Sequence, residues 1–377
     1  MVKRGILHAY LFSLISYLKN PYLCSRSNRA MIYTGAQIEN FRGIRLCKLD
    51  QLGRVNIFFG KNNCGKTSLL EALFLLSGQS NPALPITINN VRALRVAGKE
   101  DLQNLFYGAD VRNSISLSAS GARQRSATIR MIALHNELLS ADQLEGADSA
   151  SVLKYGLDYK YSALSGGDKV YHSRLSMTAD GKRFQSQTDN AYSEDFIAAY
   201  IAPGTLLSTA RGDLEEVMKN KQEGEIIELL QVVEPRLKDI QVVGEKIMVD
   251  IGLPTRLPVN LLGDGVRKVL SIILSIYKRR NGVILIDEIE NGLHHSVMGK
   301  LWEAILHTSR ETNTQLFITT HSIDILKSLA NVIRAEEGEN PDVAAYKLVR
   351  KTDDELAALR YAPAQFAYLI EQNTEVR

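Results

Sequence analysis

Eight residues constrain this chain more than any others. Gly60-Lys61-Asn62-Asn63-Cys64-Gly65-Lys66-Thr67 follow an apolar run, Val55–Phe59, and open an amphipathic stretch, Gly65–Leu76. Strand, glycine-rich loop and helix with the pattern G-x-x-x-x-G-K-[ST] is the order in which successive backbone N–H groups curl around a phosphate. Gly60 and Gly65 allow the curl because they lack a Cβ. The helix N-terminus behind them adds partial positive charge. Lys66 would bring a full charge to the β- and γ-phosphates of ATP, and Thr67 a hydroxyl to Mg²⁺. Gly60 through Ser68 is therefore the expected nucleotide-binding segment. A glycine turn that merely caps a helix is the bland alternative, and the strand and helix on either side argue against it.

A second apolar run, Val283-Ile284-Leu285-Ile286, ends in Asp287-Glu288. Carboxylates at the end of a buried strand are costly unless something cationic or polar meets them. Beside a phosphate loop, Asp287 would hold Mg²⁺ through water and Glu288 would polarise the attacking water. A third run, Phe317-Ile318-Thr319-Thr320-His321-Ser322, places a histidine 34 residues after Asp287. His321 is positioned to touch the γ-phosphate. A lone histidine at a strand end is more often structural; its place after the other two motifs favours the catalytic reading.

Two segments resemble the signature that ABC-type ATPases offer to the nucleotide of a second protomer. Leu164-Ser165-Gly166-Gly167-Asp168 matches it closely in letters but lies 123 residues before Asp287 and precedes an alternating run, Val170–Thr178. It reads as a hairpin turn. Leu262-Gly263-Asp264-Gly265 lies just ahead of the acidic strand and opens the amphipathic run Val266–Lys278. Gly263, Asp264 and Gly265 are the expected in-trans contact, made through backbone N–H groups because Gly263 stands where a serine is usual.

These motifs order the chain. Residues 1–30 read as an N-terminal extension, with Met31 a second possible start; 31–79 as the first part of an ATPase core; 80–215 as an inserted β-rich lobe with a hairpin at Asp180-Gly181; and 216–377 as the second part of the core. The fold class is α/β, a P-loop NTPase of ABC/SMC-like type. Within residues 80–215 strands are expected at Ser114–Ser118, Ala127–Leu134, Tyr155–Tyr161 and Val170–Thr178. Helices are expected at Glu223–Leu237, broken near Pro235, and at Ser296–Arg310, and further strands at Ile240–Val243 and Lys246–Ile251.

Charge says little about partners. The net charge is +3, but residues 1–30 alone carry +5, which leaves −2 over residues 31–377. Overall basicity is thus no argument for nucleic acid, and Arg92/Arg95/Lys99 and Arg123/Arg125/Arg130 read as solvated surface. Three scattered cysteines suit a reducing, cytoplasmic setting. The apolar run Ile6–Leu18 is too short to span a bilayer, so no membrane role is expected.

The run Leu285-Ile286-Asp287-Glu288-Ile289-Glu290-Asn291-Gly292-Leu293-His294-His295, with Phe317–Ser322, resembles the ATPase domain of OLD-type (overcoming lysogenisation defect) proteins and related ATPases of antiphage systems. The resemblance covers roughly residues 31–377, including the closing Glu375-Val376-Arg377. It implies a homodimer or higher homo-oligomer that uses ATP and Mg²⁺. Only 56 residues follow His321, too few for the Toprim nuclease that full OLD proteins carry, so a nuclease or toxin on a separate chain is the implied partner. A RecF-like repair ATPase that binds DNA is the alternative. Of two glutamines near the core–lobe junction, Gln79 and Gln103, the second is the expected further Mg²⁺ contact. His294 and His295, adjacent on the chain, do not have zinc-binding spacing.

Overall fold

The computed structural model describes residues 30–94, 96, 99–134, 154–163, 169–178, 183–203, 210–231, 233–294, 297–335, 342–351 and 355–372. The extension 1–29, the LSGGD segment, Asp180-Gly181, His295 and Glu375–Arg377 lie outside them.

The chain begins with strands β1 (Gly35–Phe41), β2 (Ile44–Asp50) and β3 (Val55–Phe59), then helices α1 (Lys66–Ser77), α2 (Leu84–Val91) and α3 (Lys99–Gln103). Strands β4 (Ile115–Ser120), β5 (Arg125–Leu134), β6 (Lys154–Ala163), β7 (Tyr171–Met177), β8 (Phe184–Gln187) and β9 (Ala198–Ile201) follow. Next come α4 (Ala210–Lys219), α5 (Glu223–Leu230), β10 (Asp239–Val243), β11 (Lys246–Asp250), β12 (Leu257–Pro258) and α6 (Asp264–Lys278). The last part is β13 (Val283–Ile286), α7 (Met298–Thr312), β14 (Gln315–Thr319), α8 (Ile323–Ala335), β15 (Val343–Arg350), β16 (Leu356–Tyr361) and α9 (Pro363–Glu371).

The central sheet runs β16-β15-β3-β14-β13-β9, parallel throughout except for the β15–β16 pair. Every residue of β3, β13 and β14 is buried, as expected of a parallel sheet covered on both faces. Side chains alternate between two cores. Ile57, Ile284, Ile286 and Ile318 join the core of α6, α7 and α8, whereas Phe58, Leu285, Phe317 and Tyr346 join that of α1 and the antiparallel sheet. β3, β13 and β14 end together at the same edge, which is where the phosphate loop, the acids and His321 emerge.

The strands expected in a separate inserted lobe do not stand apart. β4 to β8 continue from β1 and β2 in one seven-stranded antiparallel sheet, ordered β2-β1-β4-β5-β6-β7-β8. The register explains it: β1 pairs β2 on one side and β4 on the other, with Ile38 opposite both Cys47 and Leu117. Residues 80–215 also supply β9, the edge strand of the central sheet, paired in parallel with β13. β10, β11 and β12 make a small sheet beside α4 and α5. Expected Glu223–Leu237 is cut to α5, which ends seven residues earlier, ahead of Pro235.

Of the two basic clusters, Arg92, Arg123 and Arg130 are exposed, as expected, whereas Arg125 is not. Arg125 is fully buried, held by Glu194 and Asp195 and stacked on the Phe196 ring, and Arg123 also pairs with Asp195. Arg92 is bound to Glu71. Among the described residues no helix is long and apolar enough to cross a membrane.

Candidate nucleotide site

The loop between β3 and α1 curls because its glycines hold conformations that other residues avoid. Gly60 has φ 146° and Gly65 φ 109°. A Cβ on Gly60 would stand 2.6 Å from the Leu348 carbonyl oxygen of β15. Lys66 is buried, and its ammonium donates to the carbonyls of Gly60 (3.0 Å) and Lys61 (2.9 Å). Its charge therefore already sits inside the curl. Lys61, Asn62 and Asn63 are exposed on the rim, while Cys64 is buried against the loop. A cleft of about 410 Å³ opens beside Gly60, Lys61 and Asn62, with His321, Ile323 and Leu326 on its far side.

Thr67, the first turn of α1, brings its hydroxyl 3.2 Å from Asp287 Oδ1 at the end of β13. Asp287 is only 3% exposed, and its carboxylate also accepts from Thr319 (2.6 Å) and Tyr200 (3.3 Å). A hydroxyl and a buried carboxylate at this separation fit a hydrated Mg²⁺ between them. Tyr200, on edge strand β9, has its phenol pKa raised by burial first and by the neighbouring Asp287 and Glu71 charges next. It is a neutral donor.

Gln103, the expected further Mg²⁺ contact, is half-buried. It ends α3, where its carbonyl accepts the Phe106 N–H at 2.9 Å, and Phe106 then bridges Phe41 of the antiparallel sheet. Gln79 is fully buried and donates to the Ser162 carbonyl and to Tyr192, facing the antiparallel sheet.

Glu288 follows with φ 47°, left-handed backbone that costs a side-chain-bearing residue about 1 kcal/mol. Two bonds hold it there. Its N–H donates to Thr319 Oγ1 at 2.9 Å, and Asn291 donates to its Oε2 at 2.8 Å. The carboxylate stays about one-third exposed, turned toward the open side of the site. His321 lies next to it, with Nδ1 4.0 Å from Glu288 Oε1 and 2.9 Å from Glu290 Oε1. The His321 backbone N–H donates to that same Glu290 oxygen at 2.8 Å. The phosphate loop, Asp287, Glu288 and His321 thus converge from three adjacent strand ends.

Gly263, Asp264 and Gly265 stand elsewhere, at the start of α6. Gly263 and Asp264 are exposed, and a Cβ on Gly263 would meet nothing within 4 Å. Gly265 packs against Gly292, whose carbonyl oxygen would lie 3.1 Å from a Cβ there. The glycine start of α6 is therefore braced on the loop that follows Glu288.

Several residues of the site carried no role in the sequence reading: Thr319, Tyr200, Glu290, Asn291, Glu71 and Lys268. Glu71, one turn past Thr67, is fully buried between Arg42 (2.7 Å) and Arg92 (2.6 Å). Burial raises its pKa, opposed by its hydrogen bond to Arg92 and by the Arg42 charge. Arg92 also reaches Ser68 at 3.5 Å. Lys268 is 6% exposed, and its pKa is lowered by burial, against the opposing charges of Asp287, Glu290 and Glu288. A buried ammonium costs several kcal/mol without such carboxylates. The available signal was a lone lysine inside the otherwise buried run Val266–Ile276.

The geometry defines a P-loop nucleotide site. Comparison with known proteins agrees. Residues 31–161 match the family model described as an AAA ATPase domain, and residues 164–327 match the model "AAA domain, putative AbiEii toxin, Type IV TA system". An "ATP/GTP phosphatase" of Helicobacter pylori is 24% identical over 329 residues, covering 80% of this chain and 88% of that protein. The "DNA replication and repair protein RecF" of Pseudomonas syringae is 30% identical over 129 residues, 31% of this chain and 35% of that protein. Among solved structures, an SmcHead bound to the C-winged helix domain of ScpA is similar with TM-score 0.48 and 10% identity, covering 88% of this chain and 97% of that one. The chain is a P-loop ATPase.

Proposed function

We propose that this ATPase is a nucleotide-dependent dimer switch that controls a separate effector, a nuclease or toxin, in defence against phage. The observation that carries the reading is the meeting of Lys66, Thr67, Asp287, Glu288 and His321 at one edge of the sheet, while Gly263–Gly265 stand exposed at the start of α6. One protomer then offers the reacting groups and the other closes the site with its glycine start. Leu261, 70% exposed beside Gly263, is an apolar contact for that second copy.

In the reaction, residues 60–68 hold the phosphates through backbone N–H groups, and Lys66 transfers its ammonium from the Gly60 and Lys61 carbonyls to phosphate oxygens. Thr67 and Asp287 would hold Mg²⁺, which supplies charge neutralisation at the β- and γ-phosphates. Glu288 accepts a proton from the attacking water through Oε1, because Asn291 occupies Oε2. His321 uses Nε2 for the γ-phosphate, its Nδ1 being committed to Glu290. The name of the Helicobacter pylori relative extends the substrate question to GTP.

The role in defence draws on the likeness to OLD-type ATPases and on the toxin wording of the second family model. The partial RecF match favours a second reading, a DNA-repair ATPase. Tagged Glu288→Gln, purified from its native host with ATP and Mg²⁺, separates the two. A nuclease or toxin chain held or released according to nucleotide is the expected result. DNA alone, bound in a salt-dependent way, would replace the effector reading with the repair one.

A further inference from the structure

The strand order fixes which way a nucleotide lies. The phosphate loop leaves β3, and β14 and β13, which lead into His321 and the acids Asp287 and Glu288, lie to one side of it. The γ-phosphate belongs on that side. The nucleoside, at the other end of the phosphate chain, must leave on the opposite side, toward β15 and β16. The cleft beside Gly60 and Asn62 does not meet that need, because His321 stands on its far side.

Arg350 is the exposed residue that closes β15 there. Lys347 lies opposite Phe59, the last residue of β3, so β15 runs on past the loop to Arg350. Side chains alternate along a strand, and Leu348 is buried in the core shared with α1. Arg350, two residues on, keeps to that same face and reaches the start of α1. Its Nη1 donates to the Gly43 carbonyl at 2.9 Å, and its Nη2 would lie 3.9 Å from a Cβ on Gly65. Leu356 and Ile44 border the same spot, 3.3 and 3.9 Å from that Cβ position.

The turn that Arg350 grips is held in an unusual shape. Asn40 and Arg42 both have left-handed backbone, with φ 57° and 50°. Such conformations persist where the surroundings over-determine them, and they gather at ligand sites. Here the Asn40 amide donates to the Ser114 carbonyl, Arg42 is bound by Glu71 and Asn89, and Arg350 fixes Gly43.

We infer that Arg350 receives the nucleoside end of the bound nucleotide, its guanidinium plane lying against the base. The inference rests on the proposed place of the γ-phosphate beside Glu288 and His321. A guanidinium stacks through a flat face, which reads the π-face of a base and not its edge. Adenine and guanine nucleotides are therefore bound alike. Arg350 sets affinity for the nucleoside without touching the reacting phosphate.

Calorimetry of the full chain with Mg²⁺ and three probes (ADP, GDP and inorganic tripolyphosphate) tests it. Arg350→Ala should weaken ADP and GDP about tenfold each and leave tripolyphosphate within about twofold of wild type. Equal loss for tripolyphosphate would assign Arg350 to the phosphate loop alone, and unchanged ADP affinity would leave it no contact; either overturns the inference. A loss confined to one of the two purines overturns the stacked geometry. Arg350→Lys keeps the charge without the plane and should not restore ADP binding; full recovery overturns the inference too. Photolabelling of wild type with 2-azido-ADP should tag the peptides that carry Gly43 and Ile44 or Arg350. Label confined to residues 321–326 would put the base in the cleft and overturn it. Wild type that binds none of the three probes would remove the nucleotide site itself, and the inference with it.

Discussion

The Thr319 hydroxyl holds both acids of the site at once, donating to Asp287 Oδ1 at 2.6 Å and accepting the Glu288 N–H at 2.9 Å. One side chain from β14 thus sets the spacing of two groups on β13. Thr319→Val keeps the shape and removes both bonds. It should lower kcat by about ten- to a hundredfold and weaken the dependence on Mg²⁺, whereas Thr319→Ser should stay within about threefold of wild type. Steady-state turnover against Mg²⁺ concentration decides; equal losses in both variants would assign Thr319 to packing alone.

Lys66→Ala removes the one full positive charge inside the curl of residues 60–65. Binding of ATP, followed by calorimetry, should fall below detection, and GTP should behave alike if the loop reads phosphates only. Tight binding retained by this variant would break the assignment of the loop.

Glu288→Gln is expected to keep nucleotide affinity and lose about two to three orders of magnitude in kcat. Asn291→Ala, which frees the Glu288 carboxylate from its 2.8 Å donor, should cost less, about tenfold. Rapid-quench assay of a single turnover measures both. Near-normal chemistry in Glu288→Gln would mean that another group takes the proton.

Glu71→Ala would leave two arginines facing each other in the space that one carboxylate now fills, with Arg42 9% exposed and Glu71 not at all. Breaking a buried pair from one side costs about 3–5 kcal/mol. A drop in Tm should follow. A variant as stable as wild type would show that the arginines escape to water.

Gly60→Ala places a methyl group 2.6 Å from the Leu348 carbonyl at a φ of 146°. The loop must shift or β15 must yield. ATP affinity should fall at least tenfold, about 1.4 kcal/mol, with smaller change in kcat at saturation. Unaltered affinity would mean the curl tolerates a different backbone.

The strands that carry the chemistry were legible because they are mostly apolar and lead directly into the motif residues. Val55–Phe59 and Val283–Ile286 agree residue for residue with β3 and β13, and the run that begins at Phe317 overlaps the end of β14. α1 and α6 announced themselves through glycine starts and long apolar faces. Edge strand β9 did not: Ala198-Ala199-Tyr200-Ile201 is four residues long, half of them alanine, and only its parallel neighbour β13 makes it a strand. Tyr200 was hidden with it. Thr319, Glu290 and Lys268 owe their surroundings to residues far along the chain, so no local pattern marks them. The lobe boundary at residue 80 misled for a related reason, since strand pairing between Ile38 and Leu117 leaves no trace in composition.

That pairing has a mechanical consequence. The antiparallel sheet shares one core with α1, where Leu69, Leu73 and Leu76 pack with Ile38, Leu117, Ile129 and Tyr159. Ser77 at the end of α1 is also pinned to Arg125 of β5 and to Tyr33. A domain strung on two linkers could swing while the phosphate loop stayed still. This sheet, with β7 and β8 at its far side, is instead packed directly on the helix whose first turn holds Thr67.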